Sequence, residues 1–189
     1  MSIRMRRFVT LQDVLSAAEC SKIIAAASGA QTESGRVSDG GDAYGERTDH
    51  RVCDVVPRVD VSVLRPAEVR LQKLLLATNA KYWRFDISAT QALQVVRYPV
   101  GGRYNWHVDL SEAIPYHTRK LSLTVQLSRS DSYEGGGLEL YFGAAPLTAS
   151  RQQGTATLFP SYALHRVAPV TAGERWALVT WAVGDNPYR

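Results

Sequence analysis

With 189 residues, 45% of them hydrophobic and 21% charged, the chain is long enough to bury a core without disulfides or a structural metal. It has no apolar run near the about 18 residues of a membrane helix. Its formal charge of +4 comes from 22 basic and 18 acidic residues scattered along the chain, too weak an excess to point to nucleic acid or a membrane surface. Cys20 and Cys53 form neither a disulfide scaffold nor a C-x-x-C site, and the basic start lacks a leader's apolar stretch, so a reducing cytoplasm is expected.

In chain order, Ser16-Ala17-Ala18-Glu19 has the form of a capping box, in which each side chain satisfies a backbone N–H at a helix start. Cys20, Ile23, Ile24 and Ala27 then recur at helical spacing until Gly29. Residues 29–50, rich in Gly, Ser, Asp and Thr, predict a long loop or irregular hairpin, and loops of that length are often lids. A second helix is predicted from Pro66, a residue suited to the first helical position, to about Thr78. From Trp83 onward, short β-rich runs follow at 92–98, 120–127, 137–142, 155–159, 165–170 and 176–183, separated by glycine-containing turns. Helices followed by many short strands predict a mainly β, α+β domain: an antiparallel sandwich or jelly roll with helices packed on one sheet. We expect a single domain over 1–189, helical over about 8–80 and β over about 83–184.

Of the four histidines, His107 stands two residues before Asp109, in Trp106-His107-Val108-Asp109. On extended backbone both side chains leave one face, about 6.6 Å apart along the strand. A metal about 2.1 Å from each donor needs a backbone bend there. H-x-D alone is a weak signal. It gains weight from His165, in Phe159-Pro160-Ser161-Tyr162-Ala163-Leu164-His165, and from Arg175 inside the apolar run Arg175-Trp176-Ala177-Leu178-Val179. Two imidazoles and a carboxylate make the facial triad of non-haem iron(II) oxygenases, which leaves coordination positions open for the 2-oxo acid end of 2-oxoglutarate and for O2. A buried guanidinium needs an anionic partner, and the distal carboxylate of 2-oxoglutarate suits Arg175.

The series Arg97-Tyr98-Pro99, Gly101-Gly102, His107-Val108-Asp109, Arg119-Lys120-Leu121-Ser122-Leu123, Glu134-Gly135-Gly136-Gly137-Leu138-Glu139-Leu140, Phe159-Pro160, His165-Arg166-Val167 and Gly173-Glu174-Arg175 resembles the prolyl-4-hydroxylase-like 2-oxoglutarate oxygenases. The resemblance covers 94–183 and implies a double-stranded β-helix, Fe(II), 2-oxoglutarate and O2, and admits ascorbate. It also implies that Tyr98 and Trp181 lie beside the cosubstrate. Two positions depart from the pattern: Gln126 stands where many relatives carry a tyrosine, and Ala177 where other oxygenases carry a serine. Gln126 either donates to a carboxylate or faces the surface.

The implied activity is hydroxylation of an unactivated C–H bond in an amino acid, a peptidyl (prolyl-type) residue or a small metabolite, with release of succinate and CO2. Arg36, Arg47 and Arg51, in and beside the 29–50 loop, are candidates for a substrate carboxylate. Trp106 either lines the pocket or fills core. His117 reads as solvated, and His50 as a loop residue able to join the substrate site. A nucleic-acid dealkylase would carry a further arginine, which Trp181-Ala182-Val183-Gly184 lacks. A non-catalytic cupin-like binding domain would have no need of the whole donor set. The sequence does not specify an oligomeric state.

Overall fold

In the computed structural model, residues 6–35, 37–38, 44–45, 49–57, 59–112, 116–185 and 188 are described. The capping box forms: Glu19 N donates to Ser16 Oγ at 3.2 Å and Ser16 N donates to Glu19 Oε2 at 2.8 Å, starting helix α1 (Ala17–Ser28). Cys20, Ile23 and Ala27 are its buried residues, as the periodicity predicts. Helix α2 (Val61–Tyr82) differs from expectation by beginning five residues before Pro66. Asp60 starts it by accepting a hydrogen bond from Ser62 N at 2.8 Å, so a good capping side chain outweighs the proline signal and Pro66 sits inside the helix.

The strands that build the site are β1 (Val9–Leu11), β2 (Asp54–Val56), β3 (Gln94–Tyr98), β4 (Arg103–His107), β5 (Arg119–Gln126), β6 (Leu138–Tyr141), β7 (Ala156–Pro160), β8 (Leu164–Val167) and β9 (Arg175–Val183). All pairings are antiparallel. The larger sheet runs β1-β7-β5-β9-β3-β2 and ends on Glu33–Ser34, with Ala89–Thr90 also pairing β9. The smaller runs Leu147–Thr148, β6, β8, β4, Arg51–Val52. Within 29–50, Val37–Ser38 pairs with Tyr44–Gly45, the irregular hairpin expected there. The chain reading did not anticipate β4 as a strand, because polar Arg103 and Asn105 interrupt its apolar pattern.

Side-chain alternation divides the larger sheet into two faces. Leu121, Leu123, Val125, Leu158 and Leu178 pack outward against Ile23, Leu71 and Leu75 of the helices. The other face packs on the smaller sheet through Val96, Tyr98, Phe159, Leu138, Leu140 and Val167. On β5 the intervening residues Ser122, Thr124 and Gln126 are thereby left on the inner side, and on β9 so are Trp181, Val179 and Ala177, opposite them in register, and Arg175, opposite Tyr98 of β3. The helical layer closes one face of the larger sheet, and the inner face can be polar because it lines a cavity.

Candidate active site

His107 and His165 are direct cross-strand partners on β4 and β8, their ring centroids 4.1 Å apart. Strand β4 ends at His107, and the chain then bends, with Asp109 N and Leu110 N donating to Ser161 O at 2.8 and 3.1 Å. Asp109 therefore reaches the histidines from a bend and not from a continued strand, which supplies the turn in backbone that a shared metal requires. Asp109 Oδ1 lies 3.7 Å from His107 Nε2, and Oδ2 lies 3.6 Å from His165 Nε2. One ligand atom from each of the three residues falls within 4.8 Å of the others.

The outer nitrogens are committed. His107 Nδ1 meets Asn105 O at 2.7 Å and His165 Nδ1 meets Ala163 O at 2.9 Å. A carbonyl only accepts, so each Nδ1 carries a proton, and in the neutral ring Nε2 is left to turn a lone pair to the common point. Ser122 Oγ donates to Asp109 Oδ2 at 2.6 Å and is itself 3.0 Å from Ser161 Oγ. Burial, together with the neighbouring His165, holds His107 well below the ordinary imidazole range. Burial by itself would raise Asp109, but His165, His107, Arg119 and the Ser122 hydrogen bond outweigh it and hold the carboxyl at about 2. Deprotonated carboxylate and neutral imidazoles are the protonation states that ligate a divalent ion. The donor set fits iron(II): two nitrogens and one oxygen, fixed by outer hydrogen bonds and open toward a cavity.

That cavity, about 180 Å³, reaches from the triad to Arg175 and Trp181. Arg175 is only 4% exposed, yet among the described residues no carboxylate pairs with it. Its Nε donates to Gln126 Oε1 at 3.0 Å, and its guanidinium carbon stands 5.4 Å from the Tyr98 ring centre. Burial raises the Tyr98 hydroxyl to about 12, so at neutral pH it is a neutral donor.

The model of the 2OG-Fe(II) oxygenase superfamily matches residues 93–183, the stretch that contains the triad and Arg175. Over that stretch, just under half of the chain, the sequence is similar to the 2OG-Fe(II) oxygenase superfamily. A PKHD-type hydroxylase of Sphingopyxis alaskensis is 36% identical over 120 residues, 59% of this chain and 55% of that protein. Another, from Alteromonas mediterranea, is 38% identical over 90 residues, 45% of this chain. The alignments span 40% to 55% of these two curated relatives, about half their length. Among solved structures, a Trichoplax adhaerens prolyl hydroxylase in complex with a hypoxia inducible factor peptide fragment superposes with a TM-score of 0.77 at 18% identity. It covers 94% of this chain and 83% of that one. A Pseudomonas putida prolyl-4-hydroxylase gives 0.73 at 16% identity, over 95% and 94% of the two chains. The fold is the double-stranded β-helix of these oxygenases, as the resemblance implied.

Within this fold, the residues singled out in the sequence fall in different places. Tyr98, Arg175, Trp181 and Arg51 line the cavity together with the triad. Gln126 does not line it but stands behind Arg175, its amide nitrogen donating to Ser128 O at 3.2 Å. Trp106 is a correction: it lies away from the cavity, against Tyr141 and the Arg166 guanidinium, because it alternates with His107 on β4. Arg36 and Arg47 lie outside the described residues. His117 is exposed in the turn Tyr116–Thr118, as expected, whereas His50 lines the cavity.

Several cavity residues escaped the sequence reading, among them Tyr104, Ser122, Thr124 and Arg119. Tyr104 stacks on His107 with ring centroids 3.4 Å apart and planes 15° apart. Three residues from His107, it should face the opposite side, but the register moves from His107↔His165 to Tyr104↔Val167. Three steps on β4 against two on β8 is a β-bulge, which returns Tyr104 to the same face. Ser122 and Thr124 alternate with Leu121 and Leu123, a signal that becomes visible once the buried face is known. Arg119, beside the Trp181 ring at 3.6 Å, donates to Gln91 Oε1 from Nε and Nη2 at 3.0 and 2.9 Å.

Proposed function

We propose that this protein is an Fe(II)- and 2-oxoglutarate-dependent dioxygenase that hydroxylates an unactivated C–H bond of an amino acid, a peptidyl residue of the prolyl type or a small metabolite, forming succinate and CO2. The observation that carries this reading is one cavity holding both a three-donor set aimed at a common point and a buried arginine with no counter-ion among the described residues. His107, Asp109 and His165 are the metal ligands in this reading. Bound iron, with 2-oxoglutarate and O2, supplies the oxidation of the substrate carbon.

The chain's own groups bind and orient. Nδ1–H donation to Asn105 O and Ala163 O locks both imidazoles, and Ser122 fixes the rotation of the Asp109 carboxylate. Arg175 holds the distal carboxylate of 2-oxoglutarate, with Tyr98 and Trp181 walling the site between it and the triad. Arg51, Tyr104 and His50 line the cavity beside the triad and are the substrate-side residues of this reading. The prolyl hydroxylase neighbours support a peptide or small-molecule substrate. A reducing cytoplasm fits the two buried, free thiols of Cys20 and Cys53.

The test is anaerobic reconstitution with Fe(II), followed by admission of O2 in the presence of 2-oxoglutarate. Bound iron and slow conversion of 2-oxoglutarate to succinate without substrate are expected. Absence of both would falsify the reading. A screen of amino acids, proline-containing peptides and small metabolites for a mass gain of one oxygen then identifies the substrate.

A further inference from the structure

We propose that Gln126 is a positioning residue for Arg175: it occupies Nε so that only the two terminal guanidinium nitrogens face the cavity, and it thereby sets the preference for a 2-oxo acid with a distal carboxylate. The proposal rests on Arg175 being the anchor of 2-oxoglutarate and adds what makes that anchor selective.

Gln126 is 4% exposed and does not line the main cavity, so it acts through its neighbour and not on a ligand. Its Oε1 accepts from Arg175 Nε at 3.0 Å while its Nε2 donates to Ser128 O at 3.2 Å, which fixes the amide's orientation. Ser128 Oγ in turn accepts from Trp176 N at 2.7 Å and donates to Glu174 O at 3.3 Å, tying down the residues on either side of Arg175. The arginine's stem lies against Gly136, where an added Cβ would come within 3.3 Å of Cδ.

A guanidinium can offer a carboxylate two edges: Nε with one terminal nitrogen, or the two terminal nitrogens together. Gln126 closes the first edge and leaves the second. A neutral amide does this without cancelling the charge, whereas a carboxylate at the same place would neutralise Arg175 before any ligand arrived. Removing the acceptor would leave a buried Nε–H unpaired and free to turn toward the incoming anion, changing the reach of the anchor.

The test compares wild type, Gln126→Met and Gln126→Glu, all loaded with redox-inert Mn(II), by calorimetric titration with two ligands. These are 2-oxoglutarate and 2-oxopentanoate, which keeps the five carbons and the 2-oxo acid end but lacks the distal carboxylate. Wild type should favour 2-oxoglutarate about thirty-fold or more. Gln126→Met should lose about ten-fold of its affinity for 2-oxoglutarate while 2-oxopentanoate stays within about two-fold. Gln126→Glu, which keeps shape and acceptor, should lose more, again on 2-oxoglutarate alone, and provides the comparison if the methionine variant does not fold. Equal weakening of both ligands, or no weakening of either, would overturn the positioning role. A wild type that binds the two ligands equally would instead overturn the reading of Arg175 itself.

Discussion

Ser122 Oγ donates to Asp109 Oδ2 at 2.6 Å, across 13 residues of sequence, and so ties the one carboxylate of the donor set to an interior strand of the larger sheet. Ser122→Ala removes this donor with little change in volume. We expect metal affinity to fall about ten-fold to a hundred-fold, the usual effect of losing an outer hydrogen bond to a ligand. Mn(II) titration followed by electron paramagnetic resonance measures it, and an unchanged affinity would show that the bend after β4 positions Asp109 unaided.

Arg175→Met keeps the stem and removes the guanidinium. Cosubstrate affinity should fall by about 2–5 kcal/mol, since the distal carboxylate is left without its partner. That is a loss of about thirty-fold or more in Kd for 2-oxoglutarate. Metal affinity should stay close to wild type, because no ligand residue hydrogen-bonds to Arg175. A parallel loss of metal would indicate collapse of the cavity instead.

Trp106→Ala tests the outward placement of this ring. The side chain packs on Tyr141 and Arg166 and is absent from the cavity lining. The variant should lose about 1–2 kcal/mol of stability in urea unfolding, as a half-buried aromatic site does. Its affinity for Mn(II) and 2-oxoglutarate should match wild type. Loss of ligand affinity with stability intact would place Trp106 back in the site.

Glu19 gives a pH dependence remote from the site. The Arg70 hydrogen bond, then the Ser16 backbone N–H, hold its carboxyl down at about 2, against an ordinary 4.5. A depressed carboxyl stabilises the fold fully above the unfolded value, and the contribution is lost as pH falls from about 4.5 toward 2. Both partners are exposed, at 35% and 46% of their side-chain surface, so solvent screening limits the effect to about 1 kcal/mol. Glu19→Gln should lower Tm by a few degrees at pH 7, with wild type and variant converging as pH nears 2. A gap that persists in acid would mean that the capping geometry alone matters.

The sequence by itself determined the elements whose causes are local. The capping box, the spacing of Cys20, Ile23 and Ala27, and the β-rich runs at 120–127 and 176–183 each arise from neighbours along the chain and recur in the structure. His107, Asp109 and His165 were legible as donors because H-x-D, a distant histidine and an arginine in an apolar run are unusual chemistry for their positions. Tertiary structure alone decided how those groups are used. The bulge between β4 and β8 stacks Tyr104 on His107 and, with alternation, leaves Trp106 outside. Register between β5 and β9 puts Ser122 beside Trp181 and Gln126 beside Ala177, so that Gln126 reaches Arg175 Nε and not the cavity. The reason is that register is fixed by pairing between segments tens of residues apart, and one residue's slip exchanges the faces of a strand.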